Sequence, residues 1–192
     1  MSATARLFVI SGPSGSGKSS LISDVLKELK HFEKSVSVTT RYKRNGEEQG
    51  RQYNFVTEEQ FKDMVEKDHF LEWAEYAGDY YGTPTEFVEK KLEQGINVIL
   101  EIEVKGAMQV KGKMDNAYFI FILTTNINEL KERLVNRGTN RAEEIEKRLL
   151  VARQELEHKK HYDCIIVNNN YNEALENLKT VLKKVAGKDN RK

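Results

Sequence analysis

Short stretches of the chain are apolar almost without interruption, at Leu7–Ser11, 97–102, 117–123 and 163–167. A run without polar alternation is what a strand buried on both faces requires. Between and after these runs, apolar residues return every three or four positions over 18–29, 85–94, 127–137, 141–161 and 172–185. That is the period of helices with one face turned inward. Buried strands alternating with amphipathic helices predict an α/β protein, a parallel sheet with helices on both faces.

Residues 35–83 depart from that rhythm. Positions 35–40 alternate Ser with Val, and 53–56 and 70–76 mix aromatic with charged residues, with a short helix expected near 58–66. Such half-buried strands fit a small mixed or antiparallel lobe. A second departure is the basic helical stretch 131–153, carrying Arg133, Arg137, Arg141, Arg148 and Arg153 and broken at Gly138 and Thr139. The expected organisation is a single domain over 4–186. Its core takes 4–34, 88–130 and 155–186, a substrate lobe takes 35–87, and an arginine-bearing helical lid takes 131–154. Residues 187–192 read as a disordered tail.

The first apolar run leads straight into Gly12-Pro13-Ser14-Gly15-Ser16-Gly17-Lys18-Ser19, and a helical pattern follows. Strand, glycine-rich turn and helix make this GxxxxGK[ST] string a phosphate cradle. Glycine backbone angles let successive N–H groups face one anion, and the helix N-terminus adds its positive end. Lys18 supplies a mobile charge for the β- and γ-phosphates, and Ser19 a hydroxyl for Mg²⁺. A nucleoside triphosphate is the expected ligand, and the bland alternative is a flexible Ser/Gly turn.

Composition narrows the setting. With 31 basic and 30 acidic residues the net charge of +1 points to neither nucleic acid nor a membrane surface as a partner. The single Cys164 excludes an internal disulfide and reads as a core residue. No apolar run reaches 18 residues and no charged-then-apolar leader is present, so a cytoplasmic location is expected. His158 and His161 lie three apart on a helical stretch and read as surface residues, since no third metal ligand accompanies them.

Two further clusters carry chemistry. Arg41 and Arg44 stand three apart on a Gly/Glu-rich loop, with Tyr53 just beyond. Two guanidinium forks and a phenol suit a second, smaller phosphate, although Lys43 and Arg51 nearby leave open a merely solvated basic loop. Glu72 lies in Leu71-Glu72-Trp73-Ala74, followed by Tyr80-Tyr81-Gly82-Thr83. A carboxylate that reads a base must face paired donors, which guanine offers at N1–H and its exocyclic amine and adenine does not. Hydroxyls such as Ser37 and Thr83 suit the guanine acceptor edge. The competing reading makes Glu72 the exposed face of an amphipathic strand.

Taken in order, Ser11 to Ser19, Ser35-Val36-Ser37-Val38-Thr39-Thr40-Arg41, Arg44 with Gly46 and Glu47, Tyr53-Asn54-Phe55, Glu72-Trp73-Ala74, Tyr80-Tyr81-Gly82, Arg137-Gly138-Thr139 and Val167-Asn168 form a series. On these motifs the chain resembles the guanylate kinase family over roughly residues 6–185. The resemblance implies a P-loop core with a GMP-binding lobe and a lid, and ATP-dependent phosphorylation of GMP, with Mg²⁺ accompanying ATP. It implies that Ser37, Glu72, Thr83 and Glu101 hold the guanine side of GMP, and Arg41, Arg44, Tyr53 and Tyr81 its phosphate. Lys18, Arg41, Arg137 and Arg148 would act in the transfer, with Arg133 a further lid residue, and Asn168 would stand near the adenine of ATP. The strand-end Glu101-Ile102-Glu103 departs from the aspartates frequent in the family.

The chemistry implied needs no Ser/His/Asp or Cys/His set, because a phosphate monoester is already an anionic nucleophile. Among competing readings, a regulatory GTPase would need an Asn/Thr-Lys-x-Asp motif that 124–126 and 168–170 do not supply. Another nucleoside monophosphate kinase would lack the guanine set. A protein-binding module of the same fold would have an eroded P-loop, whereas Lys18 and Ser19 are present.

Overall fold

The computed structural model describes residues 5–76, 78–126, 130 and 142–187. In chain order the first half comprises β1 (Leu7–Ser11), α1 (Lys18–Glu28), β2 (Phe32–Lys34), β3 (Val38–Thr39), β4 (Asn54–Phe55), α2 (Glu58–Glu66), β5 (Phe70–Tyr76) and β6 (Asp79–Pro84). The second half comprises α3 (Thr85–Glu93), β7 (Asn97–Glu101), α4 (Val104–Lys113), β8 (Tyr118–Leu123), α5 (Ala142–Glu157), β9 (Cys164–Val167) and α6 (Tyr171–Ala186). A 3-10 turn over His158–His161 ends α5.

The apolar runs form a five-stranded sheet in the order β2-β7-β1-β8-β9. Every neighbouring pair in it is parallel. The central β1 shows why its run is unbroken. Phe8 and Ile10 pack with Leu21, Ile22 and Val25 of α1 and Leu178 and Leu182 of α6. Leu7 and Val9 point the other way, onto Val88 of α3 and Val104, Ala107 and Val110 of α4. Both faces are sealed, so neither tolerates a polar side chain.

A second, mixed sheet has the order β4-β3-β6-β5, with β3 parallel to β4 and antiparallel to β6. Within the stretches 35–40 and 53–56 only Val38–Thr39 and Asn54–Phe55 pair as strands, while Phe70–Tyr76 does so in full. A small core of Val38, Phe61 and Phe70 lies beneath α2, and the Phe61 and Phe70 rings stack at 4.5 Å. The Thr57 hydroxyl accepts from the Gln60 N–H while the Gln60 side chain accepts from the Thr57 N–H, a reciprocal cap that starts α2.

The apolar pattern announces neither β2 nor α4. β2 is three residues long and buries only Phe32, too short for a period to register. α4 carries Gly106 and Gly112, which weaken helix propensity, and it is held by packing on the sheets. The helix expected over 127–137 lies, apart from Leu130, outside the described residues, as do residues 131–141 of the expected lid and 188–192 of the tail. Cys164 is half-buried against the core, and His158 and His161 are exposed. Among the described residues no helix is long and apolar enough to cross a membrane.

Candidate active site

The loop between β1 and α1 is held closely on the sheet. At Gly12 (φ 141°) an added Cβ would stand 1.9 Å from the Ile122 carbonyl oxygen, so only glycine lets the chain pass β8 there. Gly17, at φ 89°, caps α1, and no acidic residue occupies the first turn of that helix. Its N–H groups and positive dipole end are left for an anion. Lys18 curls into the loop, its ammonium donating to the carbonyl oxygens of Gly12 and, at 2.9 Å, Pro13.

Asn168 underpins this loop from behind. Its Nδ2 donates to the Ser16 carbonyl at 2.7 Å, its own N–H donates to Leu123 O at 2.7 Å, and the residue is 2% exposed. Expected beside adenine, Asn168 turns its amide toward the loop backbone. From α5, Arg148 reaches across to donate to the Ser14 hydroxyl at 3.0 Å.

Glu101, the last residue of β7, accepts from the Ser19 hydroxyl and pairs with the Lys34 ammonium. Burial pushes its carboxyl up, but the Lys34 charge and the bonds from Lys34 and Ser19 outweigh it and hold the group below the usual range. Glu101, implied to sit with the guanine residues, stands on the P-loop side of the site. Glu103 is shifted the other way, because its burial is opposed only by the charges of Lys18 and Lys105. On α5, burial pushes Glu155 up to about 7 despite the nearby Lys18.

The mixed sheet assembles the second cluster. Arg41 Nη2 donates to both carboxylate oxygens of Glu47, at 2.7 and 3.0 Å, and Nη1 donates to Tyr42 O at 2.7 Å. Its guanidinium lies 5.4 Å from the Tyr53 ring centre and 5.8 Å from that of Phe55. The Tyr53 and Tyr81 rings meet edge to face at 5.8 Å. The Arg44 N–H donates to Glu47 at 2.8 Å while its side chain is exposed. Glu47, which follows Arg44 and Gly46 in the sequence motif, orders the arginine loop, and the bonds from Arg41 and then Arg44 hold its carboxyl below the usual range.

Glu72 is 5% exposed and accepts from Thr83 Oγ1 at 2.6 Å, the two residues facing each other across β5 and β6. The exposed-strand reading of Glu72 is therefore excluded; its neighbour Trp73 takes the solvent side. Burial raises the Glu72 carboxyl, opposed by the side-chain and backbone bonds from Thr83. Ser37 is half-buried just before β3, its carbonyl accepting from the Asn54 N–H at 2.8 Å. Arg133 and Arg137 lie outside the described residues. Among the described residues no group of three or more His, Cys, Asp or Glu side chains could hold a metal ion. The Ser19 and Glu101 oxygens beside the loop are hard donors of the kind Mg²⁺ takes when it arrives with a nucleotide.

A glycine loop lying between a buried strand and a helix, with a lysine folded into it at the C-terminal end of the central strand of a parallel sheet, defines a P-loop nucleotide-binding protein. The family model described as guanylate kinase matches residues 4–185, and the chain belongs to that family. The guanylate kinase of Desulfitobacterium hafniense (strain Y51) is 46% identical over 176 residues, covering 92% of this chain and 88% of that protein. That of Streptococcus thermophilus (strain CNRZ 1066) is 46% identical over 183 residues, covering 95% and 88%. The crystal structure of guanylate kinase from Anaplasma phagocytophilum superposes with a TM-score of 0.77 at 30% identity, over 95% of this chain and 86% of that one. The α/β class expected from the apolar pattern is the class observed, together with the separate mixed sheet.

Proposed function

We propose that this chain transfers the γ-phosphoryl group of Mg-ATP in line to GMP, and to dGMP, yielding ADP and the nucleoside diphosphate. The observation that carries the reading is the buried Glu72–Thr83 pair in a chain whose P-loop is intact. A carboxylate that is nearly sealed from water favours a ligand with paired donors, and guanine supplies them. Ser37, Glu72 and Thr83 take the base. Arg41, Arg44, Tyr53 and Tyr81 take the GMP phosphate, with Glu47 holding Arg41 in place until that phosphate shares the guanidinium.

Gly12, Pro13, Ser14, Gly15, Ser16, Gly17, Lys18 and Ser19 receive the ATP phosphates. Asn168 serves ATP by fixing the Ser16 carbonyl and with it the loop. Ser19 would hold Mg²⁺, with Glu101 beside it on the phosphate side rather than on the base; bound there, the ion would neutralise charge on the β- and γ-phosphate oxygens. Because the GMP phosphate is already anionic, no side chain has to abstract a proton. The catalytic work of Lys18, Arg41, Arg137 and Arg148 is to align two polyanions and offset the charge spreading over the transferred group. Arg133 joins them as a further lid residue, the lid over 131–154 closing on both nucleotides and keeping water from taking the phosphoryl group. With γ-labelled ATP, the label is expected in GDP when GMP is supplied. Label appearing only as inorganic phosphate would refute the transfer.

A further inference from the structure

The face of α4 that meets β5 is drawn by Gly106, Gln109 and Lys113, three and then four residues apart and so on one side of the helix. β5 is an edge strand, and α4 takes the place of its missing neighbour. The Gln109 amide donates to the Trp73 carbonyl at 2.8 Å and accepts from the Trp73 N–H at 3.2 Å, the pair of bonds a strand would make. Lys113 donates to the Phe70 carbonyl at 3.0 Å. The clamp therefore grips β5 on either side of Glu72. At Gly106 an added Cβ would stand 2.4 Å from Glu72 Oε2 and 3.1 Å from its Cδ, so the carboxylate occupies the room a side chain would fill.

We propose that α4 sets the base selectivity of the site, with Gly106 and Gln109 the positioning residues that fix where the Glu72 carboxylate lies. The inference rests on the reading that Glu72 receives guanine. What Gly106 approaches is the end of a side chain, not backbone. A methyl group there displaces the carboxylate and leaves the helix where it is. Alanine is also the better helix former, so recognition and stability are uncoupled at this position.

Gly106→Ala and Gln109→Leu test it, read with GMP and with inosine monophosphate, which differs from GMP in lacking the exocyclic amine. Gly106→Ala is expected to melt no lower than the parent protein and to keep its KM for ATP within about twofold. Its KM for GMP should rise at least about tenfold and its preference for GMP over inosine monophosphate fall as much, since a misplaced carboxylate leaves guanine donors unpaired. Gln109→Leu should move the same quantities in the same direction by less. Parental preference for GMP in both variants would overturn the proposal, and so would a Gly106→Ala protein that melts far below its parent, because the glycine would then serve packing. A parent protein with no preference for GMP would instead refute the reading of Glu72 itself.

Discussion

At Glu72 the burial that makes a carboxylate selective also works against its charge. Burial nearly seals the group from water and outweighs the side-chain and backbone bonds from Thr83, so its pKa stands above the ordinary value. Such a carboxyl binds protons more readily folded than unfolded, so ionising it weakens the fold as pH rises above the usual carboxylate range. Glu72→Gln should therefore melt at or above the parent temperature at pH 8. The amide turns a donor toward guanine's own donors, so KM for GMP is expected to rise at least about tenfold with KM for ATP nearly unchanged. Steady-state kinetics in each substrate check the split, and a variant with parental KM for GMP would remove Glu72 from the base site. Arg41, Arg44, Tyr53 and Glu72 could be picked out of the chain because their residue types and spacing suit a phosphate and a base. Gly106, Gln109 and the work of Glu47 could not, since each acts on a partner that only the folded chain brings near.

Among the elements, α5 links the sheet to the phosphate loop, through Arg148 on Ser14 and Glu155 beside Lys18. An arginine delivered from a separate helix suits charge that develops only during transfer. Arg148→Ala is accordingly expected to lower kcat by at least about 100-fold while KM for ATP moves less than about tenfold. Near-normal turnover would confine Arg148 to a structural contact. Glu155 gives α5 a pH dependence whose sign is fixed. Its carboxyl titrates near 7 folded against 4.5 unfolded, so the folded state holds the extra proton between those values and loses stability as pH rises through them. Glu155→Gln should melt higher than the parent at pH 8, with the gap closing as pH falls toward about 4.5; melting curves across that range read it directly. The long apolar strands and amphipathic helices were legible because their burial is complete and periodic. β2 and α4 were not, being respectively too short and too rich in glycine to carry a period, and α4 proves to be the element that joins the two sheets beside Glu72.

On the scale of the whole molecule, the parallel sheet carries the glycine loop and the mixed sheet carries Glu72, Thr83 and Tyr81, groups proposed to receive the second nucleotide. The net charge of +1 conceals how the charges are placed: Lys18 and Arg148 stand on the glycine loop and Arg41 beside Tyr53, where phosphates are proposed to bind, while Glu72 is buried against Thr83. Composition could not suggest that placement, whereas the motifs along the chain did, and two of them, Ser11–Ser19 and Val167-Asn168, fall where strands of the parallel sheet end. Motif order also reached Arg137, and the resemblance added Arg133; both lie outside the described residues. On this account the second nucleotide is GMP. ADP release from Mg-ATP, followed in a coupled assay with GMP, AMP, CMP or UMP as acceptor and with a control lacking any acceptor, tests it most directly. Rapid turnover with GMP and background rates with the others is the expected result. Comparable turnover with another monophosphate, or none with any acceptor from folded protein that binds ATP, would contradict it.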